Sequence, residues 1–257
     1  MIDLHNHTIL CNHAVDSMDE FIQKAITKGI KIYGFSDHAP MNYDEKYRMS
    51  FEDMDIYENW IDSLKEKYKD KIKILKGYEV DFTPNVDKRV LERKVDYLIG
   101  SVHFLDNWGF DNPEFLSEWK KRDVDDVYKE YFELIEKLAE SKLFDIVGHL
   151  DLIKVFNYKP KDNIKKIAKK AIEAIADNKL VVEINTAGIR KKVNEFYPSV
   201  ELLEMIKEFK IDITFGSDAH SKGQVGFNLK EVYKLAKYLG FKRVVYFENR
   251  EKRFKGF

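Results

Sequence analysis

The sequence predicts an α/β protein whose strands form a parallel barrel with helices on the outside. Apolar runs with strand character alternate with helical patterns along the chain, the 257 residues suffice for one barrel, and no linker rich in Pro, Ser or Gly divides them. Regular alternation of strands and helices favours a parallel sheet covered by helices. At this length, closure into a barrel is the simplest arrangement. We therefore expect residues 1–257 to form a single domain.

The first strand, helix and strand set the pattern that the rest of the chain repeats. Residues 1–4 form a short apolar run that predicts a strand. Ser17 and Glu20 have the spacing of a capping box, in which Ser17 precedes the first helical residue. The helix should end near Lys28, because Gly29 is a typical C-terminal signal. The buried run at 31–35 then predicts the second strand.

The same alternation continues to the end of the chain. We expect further strands at 72–80, 97–101, 145–148, 180–184 and 211–215, and helices at 51–68, 87–92, 124–141, 163–177, 199–209 and 229–239. Two long loops, 39–50 and 105–122, interrupt the pattern. These elements give seven strands, and the apolar run at 244–247 is an eighth candidate.

Charge and composition exclude several classes of protein. The 44 basic and 45 acidic residues nearly balance, so no overall field favours nucleic acid or an anionic membrane as a partner. No apolar run approaches the roughly 18 residues that predict a membrane span. The single cysteine, Cys11, excludes an intrachain disulfide and suits a reducing compartment. Without a recognisable secretory signal, we expect a cytoplasmic protein.

The histidines follow the strands in a way that predicts a metal site. His5 and His7, two apart on a strand, point to the same side. In a parallel barrel, functional groups gather at the carboxyl ends of the strands. The donors found there or in the loops that follow are His5, His7, His13, His38, Glu79, His103, His149, Asp218 and His220. Nitrogen and oxygen donors suit Zn²⁺, Mn²⁺ or Fe²⁺. Nine donors exceed the needs of one ion but fit two or three ions that share carboxylates.

Each donor also has an alternative role when it is considered alone. His103 or His149 could cap a helix or lie in the core, Glu79 could pair with Lys76, and Asp218 could cap the following turn. All of these alternatives would have to hold together, so a shared metal site explains the pattern better. Four aspartates near the donors, which could orient histidines or contact metal themselves, are Asp16, Asp37, Asp81 and Asp151. Cys11 could be a small apolar filler or a thiolate ligand.

Two basic residues are candidates for binding an anionic substrate. Arg190 lies in the loop after the strand at 180–184 and would open at the same end of the barrel. A guanidinium group binds phosphate through two parallel hydrogen bonds. Lys154 follows His149 and is a second candidate. The alternative for Arg190 is that it belongs to a solvated charged surface.

These motifs together resemble those of the PHP (polymerase and histidinol phosphatase) family, and within it the stand-alone histidinol-phosphatases. The matching segments are Asp3-Leu4-His5-Asn6-His7, Ser36-Asp37-His38, Gly77-Tyr78-Glu79, Gly100-Ser101-Val102-His103, Gly148-His149 and Gly216-Ser217-Asp218-Ala219-His220. They extend from residue 3 to residue 220, so the resemblance covers most of the chain.

The resemblance implies a distorted (β/α)₇ barrel with three metal ions at the carboxyl end of its strands. By position, one ion would be held by His5, His7, Glu79 and Asp218. The second would share Glu79 and add His103 and His149, and the third would use His13, His38 and His220.

The resemblance also implies hydrolysis of L-histidinol phosphate, a step of histidine biosynthesis, by a hydroxide that bridges two ions. Glu79, Asp218 and Arg190 would be the catalytic groups, and the substrate would be a small phosphomonoester. The segment 183–190 and the two long loops are similar to those of the histidinol-phosphatases, although Ala187 stands where many relatives have serine. Alternatives are a PHP phosphoesterase acting on nucleotides or nucleic-acid ends, and a metal-binding module without activity.

Overall fold

A parallel sheet of seven strands forms the centre of the protein, and the computed structural model describes residues 1–257. The strands are β1 (Ile2–Asp3), β2 (Ile32–His38), β3 (Lys73–Asp81), β4 (Tyr97–Ser101), β5 (Phe104–Leu105), β6 (Trp108–Gly109), β7 (Ile146–Val147), β8 (Val181–Asn185), β9 (Ile213–Gly216), β10 (Arg243–Glu248) and β11 (Glu251–Gly256). In the main sheet the order is β1-β2-β3-β4-β7-β8-β9, and all neighbouring pairs are parallel.

Hydrogen bonds between the first and last strands close this sheet into a barrel. The Leu4 amide donates to the Phe215 carbonyl at 2.8 Å, and the Asp218 amide donates to the His5 carbonyl at 2.7 Å. A barrel has no free edge strands. The predicted parallel barrel is thereby confirmed, with seven strands in the ring.

Helices cover the outside of the barrel at the predicted places. They are α1 (Met18–Thr27), α2 (Asp53–Tyr68), α3 (Lys88–Leu91), α4 (Val124–Ser141), α5 (Ile164–Asp177), α6 (Val200–Glu208) and α7 (Leu229–Tyr238). The predicted capping box begins α1, since the Ser17 hydroxyl accepts from the Glu20 amide and the Glu20 carboxylate accepts from the Ser17 amide. In α5 the buried residues Ala168, Ala171, Ile172 and Ile175 recur every three or four positions, which is the helical stripe that packs on a sheet.

Tyr97 fills the middle of the barrel, below the carboxyl ends of the strands. Its buried hydroxyl donates to the Leu4 carbonyl at 2.6 Å. Glycines on the two neighbouring strands make room for its ring, because a Cβ at Gly34 would lie 2.0 Å from the hydroxyl and a Cβ at Gly77 2.6 Å from the ring edge. The interior is therefore packed with side chains at this level.

The eighth apolar run, 244–247, forms a strand but does not join the barrel. It lies in β10, which pairs antiparallel with β11 as a separate hairpin. The Arg250 amide donates to the Asp96 carbonyl at 2.9 Å, and the Lys252 ammonium donates to the Lys179 carbonyl at 2.6 Å. Asp96 lies just before the start of β4, and Lys179 lies two residues before the start of β8. The hairpin therefore covers the amino end of the barrel. The contact between β1 and β9 had already closed the ring and left no edge for an eighth strand.

The two long loops contact each other at the opposite end. The second loop contains the β5–β6 hairpin and a 3₁₀ segment, Pro113–Lys121. Glu114 in this segment accepts hydrogen bonds from Lys46 at 2.8 Å and from Tyr47 at 3.1 Å, both in the first loop. None of the helices has the length and apolar character needed to cross a membrane.

Candidate metal centre

All nine predicted donor residues converge at the carboxyl end of the barrel. His5 and His7 follow β1, His38 ends β2, Glu79 lies in β3, and the remaining five lie in loops that follow strands. Seven of the nine line a cavity of about 360 Å³: His13, His38, Glu79, His103, His149, Asp218 and His220. His5 and His7 lie beneath it and are fully buried. The fold thus brings together residues from opposite ends of the chain, such as His5 and His220.

Glu79 lies at the centre of one half of this cluster. Its Oε1 is 2.8 Å from His149 Nε2 and 3.5 Å from His103 Nε2. Its Oε2 is 3.0 Å from His38 Nδ1 and 3.3 Å from His5 Nε2. A single buried carboxylate thus faces several imidazoles with both of its oxygens, which is the geometry required of a bridging ligand.

His7 and Asp218 connect the other half. The Nε2 atom of His7 is 3.1 Å from Asp218 Oδ1, and its ring centroid lies 4.0 Å from that of His220 and 4.3 Å from that of His38. Further out, the ring of His13 lies 4.6 Å from that of His220. Imidazoles crowd together in this way where they share a cationic ligand.

Five groups of donor atoms are compact enough to hold an ion, with all ligand atoms of a group within 4.8 Å of one another. They are His5–His7–Asp218, His5–Glu79–His149, His7–His38–His220, Cys11–His13–His220 and His7–Cys11–Asp37. The first lies within the set that the family resemblance implies for one ion, whereas the second joins His5 of that set to His149, which the resemblance assigns to another ion. In the third, His7 joins His38 and His220, whereas His13 groups with His220 and the buried Cys11.

Several buried polar atoms in the cluster have no hydrogen-bond partner in the protein. They are His5 Nε2, His149 Nδ1 and His220 Nε2, while His38 Nδ1 and Glu79 Oε2 lie 3.0 Å apart without the geometry of a hydrogen bond. Leaving one such atom unpaired costs about 1–3 kcal/mol. Divalent cations would accept these lone pairs, and the nitrogen and oxygen donors are those that Zn²⁺, Mn²⁺ and Fe²⁺ prefer. The residues present therefore fit a cluster of such ions.

The carboxylates of the site favour positive charge on the histidines that they contact. Burial disfavours a charged His7 imidazole, but Asp218 and Asp37 outweigh burial and raise the pKa of His7 to about 9. Burial acts in the same direction on His103, and there Asp81 and Glu79 raise the pKa to about 10. Burial and the charge on His7 instead lower the pKa of His38 to about 4, so positive charge is stabilised beside the carboxylates and not at every donor.

Two of the four nearby aspartates contact histidines of the candidate metal centre. Asp37 Oδ1 lies 3.3 Å from His7 Nδ1, and Asp81 Oδ1 lies 2.8 Å from His103 Nδ1. Such carboxylates hold the ring and its tautomer so that the other nitrogen faces the metal. Asp151 instead forms a 2.9 Å ion pair with Lys154. Asp16 accepts a hydrogen bond from the Lys222 amide, away from the histidines.

Glu183 is a supporting residue to which the sequence pattern assigned no role. Its Oε1 lies 2.8 Å from His5 Nδ1, and its Oε2 accepts a 2.9 Å hydrogen bond from the His149 amide. It lies inside the apolar run of β8 and is only 1% exposed. A carboxylate within an apolar strand indicates a supporting role, because a buried charge needs a partner. Its partners, however, come from other strands.

Arg190 lies at the cavity, and Lys154 lies beside a different one. The Nη2 atom of Arg190 donates to the carbonyls of Ser217 and Asp218 at 2.9 Å each, and its Nη1 has no partner. Lys154 is buried and engaged by Asp151, by Glu195 at 3.1 Å and by the Phe196 carbonyl at 2.8 Å. It lines a neighbouring cavity that shares no lining residue with the first.

Three further residues at the cavity were not recognised from the sequence. Asp111, in the second long loop, and Tyr197 both line it. Gln224 lines it as well and accepts a 2.9 Å hydrogen bond from the His220 amide through Oε1. They lie in loops without a periodic pattern, so no signal in the sequence pointed to them.

The fold and the site define a parallel α/β barrel with a candidate multinuclear metal centre. A model of the PHP domain family matches residues 3–187. The chain is 39% identical over 254 residues to a probable histidinol-phosphatase of Deinococcus radiodurans, an alignment that covers 96% of each protein. It is 28% identical to the histidinol-phosphatase of Bacillus subtilis, covering 88% of this chain and 95% of that protein. The chain therefore belongs to the PHP family, and the resemblance of its motifs is confirmed.

Solved structures agree on the fold. A histidinol phosphate phosphatase of Lactococcus lactis, complexed with zinc, L-histidinol and phosphate, superposes with a TM-score of 0.84 at 20% identity and covers 98% of both chains. A histidinol phosphatase structure from Listeria monocytogenes gives a TM-score of 0.82 at 21% identity, covering 90% of this chain and 99% of that one.

Proposed function

We propose that this protein is a metal-dependent phosphomonoesterase that hydrolyses L-histidinol phosphate to L-histidinol and phosphate. The observation that carries the proposal is the convergence of nine nitrogen and oxygen donors at one end of the barrel, where seven of them line a cavity together with Arg190. The relatives named histidinol-phosphatase, matched over nearly the whole chain, support the choice of substrate. The reaction would place the protein in histidine biosynthesis.

Two or three divalent ions, either Zn²⁺, Mn²⁺ or Fe²⁺, are proposed as cofactors. When bound, such ions polarise a phosphoryl oxygen and lower the pKa of water, which supplies a nucleophile at neutral pH. The zinc in the related solved structure supports the first of these metals. His5, His7, Glu79 and Asp218 would hold one ion, and Glu79, His103 and His149 another. His13, His38 and His220 would hold a third.

Side chains of the protein would bind and orient the substrate at the ions. During hydrolysis, charge develops on the non-bridging phosphoryl oxygens, and fixed donors stabilise it best. Arg190 is held in place by its two hydrogen bonds to backbone carbonyls, and its Nη1 remains free to donate. We propose that Arg190 binds the phosphate. Lys154 has its ammonium group fully engaged, so we assign it a structural role in supporting the 195–197 segment.

The alternative of a PHP phosphoesterase acting on nucleic acid has less support. Such a protein needs a basic strip that follows the phosphate backbone from the active site. The cavity instead contains a single arginine and a single lysine, Lys191, beside three carboxylates. The alternative of an inactive metal-binding module would require lost ligands, and all nine donors are present.

A panel of phosphomonoesters tests the proposed function. Protein loaded separately with Mn²⁺ or Zn²⁺ would be assayed on histidinol phosphate, 4-nitrophenyl phosphate, a nucleoside monophosphate and a 3′-phosphorylated oligonucleotide. We expect the highest kcat/KM on histidinol phosphate. A higher value on the nucleotide or the oligonucleotide would contradict the proposed substrate, and no phosphate release from any compound would contradict the proposed activity.

A further inference from the structure

The cavity that contains the donor cluster is lined by three carboxylates, and one of them has no partner within the protein. Glu79 and Asp218 face histidines at 2.8 Å and 3.1 Å, respectively. The third carboxylate, Asp111, is half-buried, makes no hydrogen bond and no ion pair with the protein, and shares the cavity wall with His103, Lys191 and His149. A carboxylate that faces a cavity without a partner in the protein can accept charge-assisted hydrogen bonds from a cationic ligand.

The position of Asp111 separates two parts of the site. It lines the 360 Å³ cavity with Arg190, and it also lines an adjoining cavity of about 240 Å³ between the two long loops. The second cavity is bordered by the aromatic side chains of Tyr47, Phe104 and Phe115. Asp111 thus lies where a substrate would pass from its phosphate end to its organic end.

We propose that the Asp111 carboxylate binds the ammonium group of the substrate and so selects an amino alcohol phosphate over a phosphomonoester without an amine. This inference rests on the proposed function. Arg190 and Asp111 line one cavity with opposite charges, which matches a substrate that carries a phosphate and an ammonium group. The aromatic border of the adjoining cavity suits the flat ring of the same substrate, because aromatic faces stack on planar rings.

The test compares two substrates that differ only in the amine. Histidinol phosphate carries it, and 3-(imidazol-4-yl)propyl phosphate lacks it. In Asp111→Asn the shape is kept and the charge is removed. We expect kcat/KM for histidinol phosphate to fall about 10- to 100-fold, the effect of one charge-assisted contact, with an unchanged value for the analogue. The wild-type preference for the amine should largely disappear.

Glu114→Gln is the matched control, because this carboxylate belongs to the same loop but is 56% exposed and pairs with Lys46 at the surface. It should keep the wild-type preference. Calorimetry of L-histidinol binding to metal-loaded protein gives a second measurement. Asp111→Asn should raise the Kd of L-histidinol by about the same factor as it lowers kcat/KM for histidinol phosphate.

Other outcomes would overturn the inference in distinguishable ways. An equal loss on both substrates would place Asp111 in the phosphoryl-transfer step instead. An unchanged kcat/KM on both substrates would show that Asp111 lines the cavity without binding the substrate. If the wild type hydrolyses histidinol phosphate no better than the analogue and does not bind L-histidinol, the proposed function itself fails, and this inference fails with it.

Discussion

Glu79 faces more of the donor histidines than any other residue in the centre. Glu79→Gln keeps its shape but removes the negative charge from between the proposed cations. The change should lower kcat/KM more than His220→Asn, because His220 lies at the edge of the cluster and is proposed as a terminal ligand. Steady-state kinetics with elemental analysis of each variant provide the measurement. Near-wild-type turnover in Glu79→Gln at full metal occupancy would rule out a bridging role.

Arg190 allows phosphate binding to be separated from metal binding. Arg190→Ala should lower kcat/KM about 30- to 1000-fold, because it deletes a charge-assisted contact that strengthens in the transition state. Arg190→Lys should recover only part of this loss, since an ammonium group lacks the planar pair of donors.

The substrate dependence of the Arg190 variants identifies the group that the arginine contacts. A phosphate ligand should affect histidinol phosphate and 4-nitrophenyl phosphate about equally. The metal content serves as the control, because Arg190 also holds the carbonyls of Ser217 and Asp218. A loss confined to histidinol phosphate, with the metal content intact, would move Arg190 to the alcohol-binding part of the site.

At the residue scale, the sequence predicted the donors better than their supports. His38 and His149 could be found because each ends a recognisable apolar run, and in a parallel barrel such ends meet at one face. Glu183 and Asp111 could not be assigned in the same way. The role of Glu183 depends on His5 and the His149 amide, which adjacent and more distant strands bring to it. The position of Asp111 at the cavity depends on the path of an irregular loop, which the sequence pattern does not predict.

At the element scale, the junction between β9 and β1 is packed around the supporting carboxylate. A Cβ at Gly216 would lie 1.9 Å from Glu183 Oε1 and 2.5 Å from His5 Cβ. Gly216→Ala must therefore displace two groups of the centre. We expect a loss of about 1–3 kcal/mol in the free energy of unfolding, together with weaker metal binding.

Gly223→Ala is the control for that experiment. A Cβ at Gly223 would meet only the Ser221 hydroxyl, at 3.8 Å, which is an ordinary contact. Denaturant unfolding and metal titration of both variants provide the measurement. Equal behaviour of the two variants would show that the β9–β1 junction tolerates extra volume and that Glu183 is not held tightly.

The elements themselves were largely predictable, and the exception has a topological cause. Caps and periodic apolar positions located the strands and helices of the barrel to within a few residues, as the capping box at Ser17 illustrates. The run at 244–247 has the character of a barrel strand as well. It pairs with β11 instead, because the hydrogen bond between Leu4 and Phe215 closes the ring without it. The sequence did not indicate β11, because that strand is charged and has no apolar run.

At the scale of the whole molecule, we propose that residues 1–257 are one domain. A contiguous core of 73 buried apolar residues extends from Ile2 to Phe247 and supports this proposal. Because the metal centre joins groups from six strands and their loops, its ions would stabilise the barrel as a unit. Ligands that bind only the folded state raise its stability by mass action.

The central claim is that the nine donors form a metal centre that hydrolyses histidinol phosphate. The most direct measurement is phosphate release from histidinol phosphate by chelator-stripped protein as Mn²⁺ or Zn²⁺ is added back in measured equivalents. We expect no activity without metal, a rise with added ion that levels off at two to three ions per chain, and a parallel rise in Tm. Full activity of the stripped protein, or a fully loaded protein that releases no phosphate, would contradict the account.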